Sequence, residues 1–525
     1  MIILNILVFI LVLGVIILIH EFGHFIVAKK CGVLVYEFAF GMGPLLVGKK
    51  KGETLFSIRA VPLGGFCSMG GEDVNKAMIS KDDLIGLNLD ENGKVKEFIL
   101  NPDLMTYDVQ GKIVDYDVYG QNKDSILYIN LEQNEEIVHY EVLRNALYSQ
   151  KTKANRKAKS IQIVPRDRSF EAKPLWQRFL VVLAGPLMNF ILAAFIFLLL
   201  AIVDVNRYQP SKEPIIGELS TLVGNPLQKG DRIIKINDEA INTWNDISNW
   251  KNNPSTYLQV DLVVLREQLE LTFYHVPTMI SIYAAGIYNF TTEGTLNTSS
   301  LGAVVGQSSE LAKDIKAGDI ITGIKIGNII TSISNWDDLI NFFINNTQGG
   351  MAYFQIIRDN NPIEVASELY SKKLLVGQGL DTFNASVGIS PQRHFNFGYM
   401  ITSSAQEFGK NAVIIFTTLG QLFTGDVKIT QLSGPVGIFK VVGSAMTGGI
   451  INILFLIGLL SVNVGIMNLL PIPALDGGRL LFFLYELIFR RKINPKAENI
   501  VNTVFYILLL AFMAVVVVFD VMKLF

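Results

Sequence analysis

A chain of 525 residues with 50% hydrophobic residues and a mean hydropathy of +0.37 is long enough for several domains and too apolar to be soluble throughout, so membrane spans are expected. Lysine plus arginine number 45 against 47 acids, a net charge of −2, which excludes bulk attraction to nucleic acid. The two cysteines, Cys31 and Cys67, make neither a metal knuckle nor a disulfide framework.

Residues 2–28 form one apolar run broken only by Asn5 and by the group His20, Glu21 and His24. As a helix it rises roughly 40 Å, enough to cross about 30 Å of hydrocarbon with tilt. A secretory signal peptide fits poorly, because the start MIILN has no basic region and no small-residue cleavage site precedes the charged group. Histidines at i and i+4 project from one helix face, so both imidazoles can reach one ion, while Glu21 points about a hundred degrees away beside it. That is the pattern of a zinc site with a general base, and it lacks a third protein ligand. Lys29, Lys30, Lys49, Lys50 and Lys51 mark the following side as cytoplasmic.

Residues 53–71 read as strand followed by a Gly-rich turn, with Leu55, Phe56, Ile58 and Val61 as strand formers and Pro62, Gly64 and Gly65 as punctuation. Unaided, these residues favour a plain surface hairpin over one dipping towards the metal motif. From about Glu72 to Arg168 the chain turns charged, with alternating stretches at 125–130 and 161–164, and reads as a small β-rich or α+β module. The basic cluster 151–159 reads as a solvated loop that keeps this module cytoplasmic.

Phe179 to Val203 is a second span, with Asn189 needing either a neighbouring helix or the site as partner. Between Asn206 and Arg393 lies a degenerate repeat: Gly230-Asp231 leads to Trp244, and Gly318-Asp319 leads to Trp336. It implies two small strand-rich tandem domains with one short helix each. Residues 395–440 read as helical, with a patch at 413–423 too short to span. Gly448 to Leu470 is the third span, after which Pro471 and Pro473 break the helix and leave Asp476 at the cytoplasmic boundary. Val501 to Phe519 is the fourth. His139, His275 and His394 stand alone in polar sequence and read as surface residues.

The topology thus puts His20, Glu21, His24 and Asp476 at one depth on one side, although more than 450 residues separate His24 from Asp476. Intramembrane ionisable groups are costly unless ligated, and one zinc ion would accommodate them together. Zn2+ held by His20, His24 and Asp476, with Glu21 as the base, implies hydrolysis of a peptide bond without a covalent intermediate. A helical substrate would have to be extended first, and pairing with a strand edge such as the 56–69 hairpin would hold it open.

HEFGH at 20–24, FGMGP at 40–44, VPLGGF at 61–66, AGPLMN at 184–189, LSGPVG at 432–437 and NLLPIPALDGG at 468–478 together closely resemble the site-2 protease family of intramembrane zinc metalloproteases, of the regulator of sigma-E protease type. The resemblance implies zinc on His20, His24 and Asp476, catalysis by Glu21, and substrate positioning by Asn468 of NxxPxP with Pro471 and Pro473. Asn189 and the hairpin residues Phe56, Ile58, Gly64 and Gly65 join the expected substrate-binding set. It turns the hairpin into a membrane-reentrant element and the repeat into two PDZ-like domains outside the membrane. Expected partners are the lipid bilayer and membrane-spanning substrates, either anti-sigma factors or signal-peptide remnants.

The expected fold is therefore a polytopic α-helical membrane protein of the bacterial inner membrane, with a reentrant β-hairpin, two extracytoplasmic PDZ-like α+β domains and a cytoplasmic insert. Its divisions are 1–30 (first transmembrane helix), 31–72 (hairpin), 73–170 (inserted module), 174–205 (second transmembrane helix), 206–290 and 291–393 (PDZ-like pair), 394–447 (membrane-surface helices), 448–490 (third transmembrane helix and LDG motif) and 497–525 (fourth transmembrane helix). The insert departs from the family pattern and carries no functional reading. A catalytically silent scaffold that binds peptides is the competing class, disfavoured by the intact HExxH and Asp476. A serine protease lacks a nucleophile loop, and a tethered soluble zincin lacks a nearby third ligand.

Overall fold

The computed structural model describes residues 2–72, 78–121, 126–151, 159–219, 225–250, 258–377, 380–425 and 434–522. Most of the basic cluster and the first two residues of LSGPVG therefore lie outside the described residues. The chain divides into two compact units, Met1–Ile196 with Ser433–Phe525, and Phe197–Leu432. Among the described residues four helices are long and apolar enough to cross a membrane: Ile3–Lys30, Leu175–Val203, Ile450–Leu469 and Lys496–Met522.

In the first unit, α1 (Ile2–Lys30) is apolar all round, as a lipid-embedded helix is, and ends on Lys29 and Lys30. Two long antiparallel strands follow, β1 (Val35–Lys51) and β2 (Thr54–Met69). The sequence reading ended the strand at a Gly-rich turn and named no strand before residue 53. In fact the strand runs on through Pro62, Gly64 and Gly65. Positive φ at Gly41 (85°) and Gly64 (102°) lets both strands bend back without breaking the pairing.

The register shows the result. Residues 37–40 pair with 55–58 on one side and with 65–68 on the other, and 45–51 pair with 54–59. Two strands thus fold into four rungs, and Gly65–Met69 is an edge with no further strand on its outer side among the described residues. Glu37 locks the rungs together by accepting from Ser57 and, through both carboxylate oxygens, from Arg59.

The insert is a six-stranded sheet of β3 (Leu84–Leu89), β4 (Val95–Ile99), β5 (Val109–Asp117), β6 (Tyr128–Gln133), β7 (Glu136–Gln150) and β8 (Lys159–Gln162). A parallel pairing of β4 with β7 closes five of these strands on themselves, removing their edges around a core that includes Leu87, Phe98, Ile129 and Leu131. The barrel is tied to the hairpin. Tyr36 Oη donates to the Gln162 carbonyl at 2.9 Å, Leu34 N donates to the Arg168 carbonyl at 2.9 Å, and Arg168 forks onto both oxygens of Glu53, which also meets Lys29. Helix α2 (Leu175–Val203) follows.

The second unit carries the same parts twice. A four-stranded sheet has strands 232–236, 239–240, 259–266 and 269–277 with helix α3 (Trp244–Trp250); a five-stranded sheet has strands 303–304, 320–326, 329–332, 350–358 and 361–369 with helix α4 (Trp336–Asn345). Asp231 takes a bidentate contact from Arg266, and Asp319 takes the same from Arg358. Both aspartates are 1% exposed, and carboxylates so buried need this pairing. Helices α5 (Lys372–Gly377) and α6 (Phe397–Thr424) end the unit.

The chain returns to the first unit with α7 (Pro435–Thr447), whose N-terminus is capped by Asp520 accepting from Gly434 N and Gly437 N at 2.8 Å. Next, α8 (Ile450–Leu469) ends before Pro471, and Asp476 opens a separate helix, α9 (Asp476–Phe489), followed by α10 (Pro495–Met522). The sequence reading ran the third transmembrane division on to 490 and missed α9 as an element. Two prolines and a left-handed Ala474 break the chain there.

The Arg168 guanidinium holds the Glu53 carboxyl below the usual carboxylate range. A lowered folded pKa gives stability that is complete above the unfolded pKa and is lost as pH falls through the folded one. Glu53→Gln should therefore cost about 1 kcal/mol at neutral pH, and the difference from wild type should shrink in thermal unfolding scans run down to about pH 3. A difference that stays constant over that range would exclude this pairing as its source.

Candidate metal centre

Helices α1 and α2 approach so closely that no larger residues fit where they cross. A Cβ on Gly23 would strike the Ala184 carbonyl oxygen, and one on Gly185 would strike both the His24 and the His20 imidazoles. Gly185 therefore leaves the space that the two rings fill. Both histidines are buried, at 8% exposure.

Their outer nitrogens are held by α2. His24 Nδ1 donates to the Val181 carbonyl at 2.8 Å. That bond fixes the tautomer and leaves the Nε2 lone pair free. The Asn189 amide lies 3.2 Å from His20 Nδ1, while Asn189 Oδ1 is buried without a partner. Turned about, the same amide accepts from His20 Nδ1–H through Oδ1, which removes the orphan and frees His20 Nε2 as well. Asn189 is itself held, since Ser461 Oγ of α8 donates to its carbonyl at 2.8 Å.

The break between α8 and α9 supplies the carboxylate. Ala474 has φ of 75°, and its N–H donates to Asn502 Oδ1 of α10 at 3.2 Å. Gly477 and Gly478 let the first turn of α9 abut the preceding segment: a Cβ on Gly478 would lie 2.5 Å from the Ile472 carbonyl oxygen. Asp476 is thereby brought against the histidines.

The three donor atoms form a near-equilateral triangle. His20 Nε2 to His24 Nε2 is 3.2 Å, His20 Nε2 to Asp476 Oδ2 is 3.1 Å, and His24 Nε2 to Asp476 Oδ2 is 3.4 Å. Tetrahedral zinc with bonds near 2.0–2.1 Å has ligand-to-ligand edges of about 3.3 Å. Asp476 Oδ2 is also buried without a hydrogen-bond partner. Residue types, spacing and orphaned oxygen all fit one zinc ion.

The triangle lies in a cleft of about 360 Å³ lined also by Glu21, by Phe66 to Met69 of the β2 edge, and by Glu72 and Arg479, which pair with each other. The Cys67 backbone N–H faces the Glu21 carboxylate. Of the other residues singled out in the sequence, Gly65 lies beside Glu21, 3.5 Å from its Cγ to an added Cβ, and Gly64 forms the preceding bend. Phe56 is turned into an aromatic cluster with Phe25 and Phe38, and Ile58 is 50% exposed, because both sit on a rung away from the cleft. Asn189 is fully buried behind His20, and neither it nor Asn468, Pro471 and Pro473 is among the cleft-lining residues. Sequence reasoning missed Gly185, Glu72 and Arg479. The adjacency of Gly185 to the second-span polar residue and of Arg479 to LDGG were the available signals.

Because its Cβ would displace both imidazoles, Gly185→Ala should lower zinc affinity about 10- to 100-fold, the range found when groups orienting metal-bound histidines are lost. Metal content after dialysis against a graded chelator series measures this, and wild-type retention would contradict the packing argument.

Comparison with known proteins identifies the family. Peptidase family M50 matches residues 8–512. The chain is 31% identical to the zinc metalloprotease RasP of Bacillus licheniformis over 98% of both chains, and 28% identical to the regulator of sigma-W protease RasP of Bacillus subtilis over 98% of both. A putative zinc metalloprotease of Staphylococcus aureus is 27% identical over 99% of both. The chain belongs to peptidase family M50, the site-2 proteases.

Proposed function

We propose that His20, His24 and Asp476 hold the zinc ion of this multi-pass membrane metalloendopeptidase, that Glu21 is its general base, and that the substrate is a transmembrane segment of a single-span membrane protein. The observation that carries the reading is the triangle of three facing lone-pair donors, built on helices whose remaining surfaces are apolar. Such a set has no purpose in hydrocarbon without a cation. Bound there, zinc polarises a carbonyl and brings the pKa of a water to about 7.

Glu21 takes the proton of the attacking water and hands it to the departing amine nitrogen. Its carboxylate is aimed by the Cys67 N–H. The edge Gly65–Met69 offers the substrate a strand to pair with, which replaces the helical hydrogen bonds it must give up near the scissile bond. Lys29 and Lys30 at the end of α1 support a site close to the cytoplasmic face of the bacterial cell membrane, with the two sheet modules of the second unit as PDZ-like domains on the other side. The name of the Bacillus subtilis relative supports an anti-sigma factor as the physiological substrate, and remnant signal peptides are of the same chemical class.

Glu21→Gln should keep zinc at one equivalent and lower cleavage of a membrane-spanning reporter by at least about a thousandfold. Asp476→Ala should instead lose zinc. Cleavage by Glu21→Gln at the wild-type rate removes Glu21 as the base, and full zinc occupancy in Asp476→Ala removes Asp476 from the ligand set.

A further inference from the structure

Hydrolysis of an amide puts negative charge on the former carbonyl oxygen, and enzymes stabilise that charge with donors already in place. His20, His24 and Asp476 are occupied by the metal, Glu21 is the base, and Glu72 is an anion. Ser68 is a neutral donor and Cys67 is a buried thiol. Among the described residues lining the cleft, Arg479 alone carries a fixed positive charge.

Its placement follows from the helix. Arg479 is three residues beyond Asp476 on α9, so the two side chains share one face, with Cβ atoms about 5–6 Å apart. Its guanidinium is anchored through Nη1 by Glu72, just beyond the β2 edge, and no other hydrogen bond of this side chain is formed among the described residues. The side chain is 37% exposed and lines the cleft. A guanidinium fixed at one corner, with free donors beside a metal ligand, suits an acceptor that is weak in the ground state and anionic in the transition state.

We infer that Arg479, oriented by Glu72, is a second electrophile of the reaction, donating to the substrate's scissile carbonyl oxygen and stabilising the charge that develops there. This rests on the metalloprotease reading above. During attack the water oxygen bonds to the carbonyl carbon, its proton goes to Glu21, and the carbonyl π electrons move onto the oxygen that Arg479 meets. When the C–N bond breaks, those electrons return, and the amine leaves with the proton from Glu21. Glu72 acts only through Arg479 and is a positioning residue.

The test uses full-length protein in detergent micelles, a fluorogenic membrane-spanning peptide, and the same peptide with a phosphinic group at the mapped cleavage position. Arg479→Ala should lower kcat by about 10²- to 10³-fold, with KM within about threefold and zinc at one equivalent. Its affinity for the phosphinic peptide should fall by a similar factor, while affinity for the intact peptide, measured in a Glu21→Gln background, stays near that of Glu21→Gln alone. Arg479→Lys should recover part of both losses, and Glu72→Ala should lose about tenfold in kcat.

A mere strut between the β2 edge and α9 gives another pattern. Glu72→Ala and Arg479→Ala would then lower the melting temperature and activity equally, the double exchange Glu72→Arg with Arg479→Glu would restore both, and the phosphinic and intact peptides would weaken together. Any of these results overturns the inference. If wild-type protein holds no zinc or cleaves nothing, the metalloprotease reading itself fails, a result distinct from the Arg479 comparison.

Discussion

Three lone pairs pointed at one another inside an apolar helix bundle are the constraint on which the rest of the structure depends. His20 and His24 each bring Nε2 against Asp476 Oδ2, so three donor atoms converge on the same small volume. Water is scarce at that depth, and an unsatisfied polar group there costs several kcal/mol. One bound cation would satisfy all three atoms at once. The fixed tautomer of His24, the amide against His20 and the helix break before Asp476 all serve to keep the three atoms facing inward when they would otherwise turn away.

Around that point the bundle is built from absences of side chain as much as from contacts. Gly23 and Gly185 bring α1 against α2, and Gly477 and Gly478 bring α9 against the turn that precedes it. The β2 edge then approaches from the remaining side, where Gly65 passes Glu21. The barrel holds the opposite end of the same hairpin through Glu53 and Arg168, so the edge is fixed at its base while its bend remains apolar and exposed at Met42 and Val61.

Much of the site was legible in the sequence because its logic is local. The i, i+4 spacing of His20 and His24 on a helix is read directly from residue order, and the depth of Asp476 follows from counting apolar spans. Asn189 announced itself as a polar group needing a partner. What was not legible depends on the backbone doubling back. Nothing in residues 53–71 says that one strand pairs with both arms of another, so the edge strand and the displacement of Phe56 into an aromatic cluster stayed hidden. Likewise Pro471 and Pro473 announce the end of α8, but residue order does not show that a new helix starts at Asp476 beyond the left-handed Ala474, which Asn502 holds. In the second unit the Gly-Asp repeat was visible, but not its reason: Asp231 and Asp319 are each buried beneath an arginine 35 and 39 residues further on.

The distance along the chain between the two halves of the metal site sets a clock on biosynthesis. A ribosome adding roughly 5–20 residues per second needs on the order of 20 to 90 s to go from His24 to Asp476. Throughout that interval the first helix is in the bilayer with two imidazoles and no carboxylate to complete their shell. On the proposed ligand set, the nascent enzyme cannot hydrolyse its own later spans or those of its neighbours while they are being threaded into the membrane. Activity arrives only with the last part of the chain, after the barrel, both sheet modules and three of the four spans have been made.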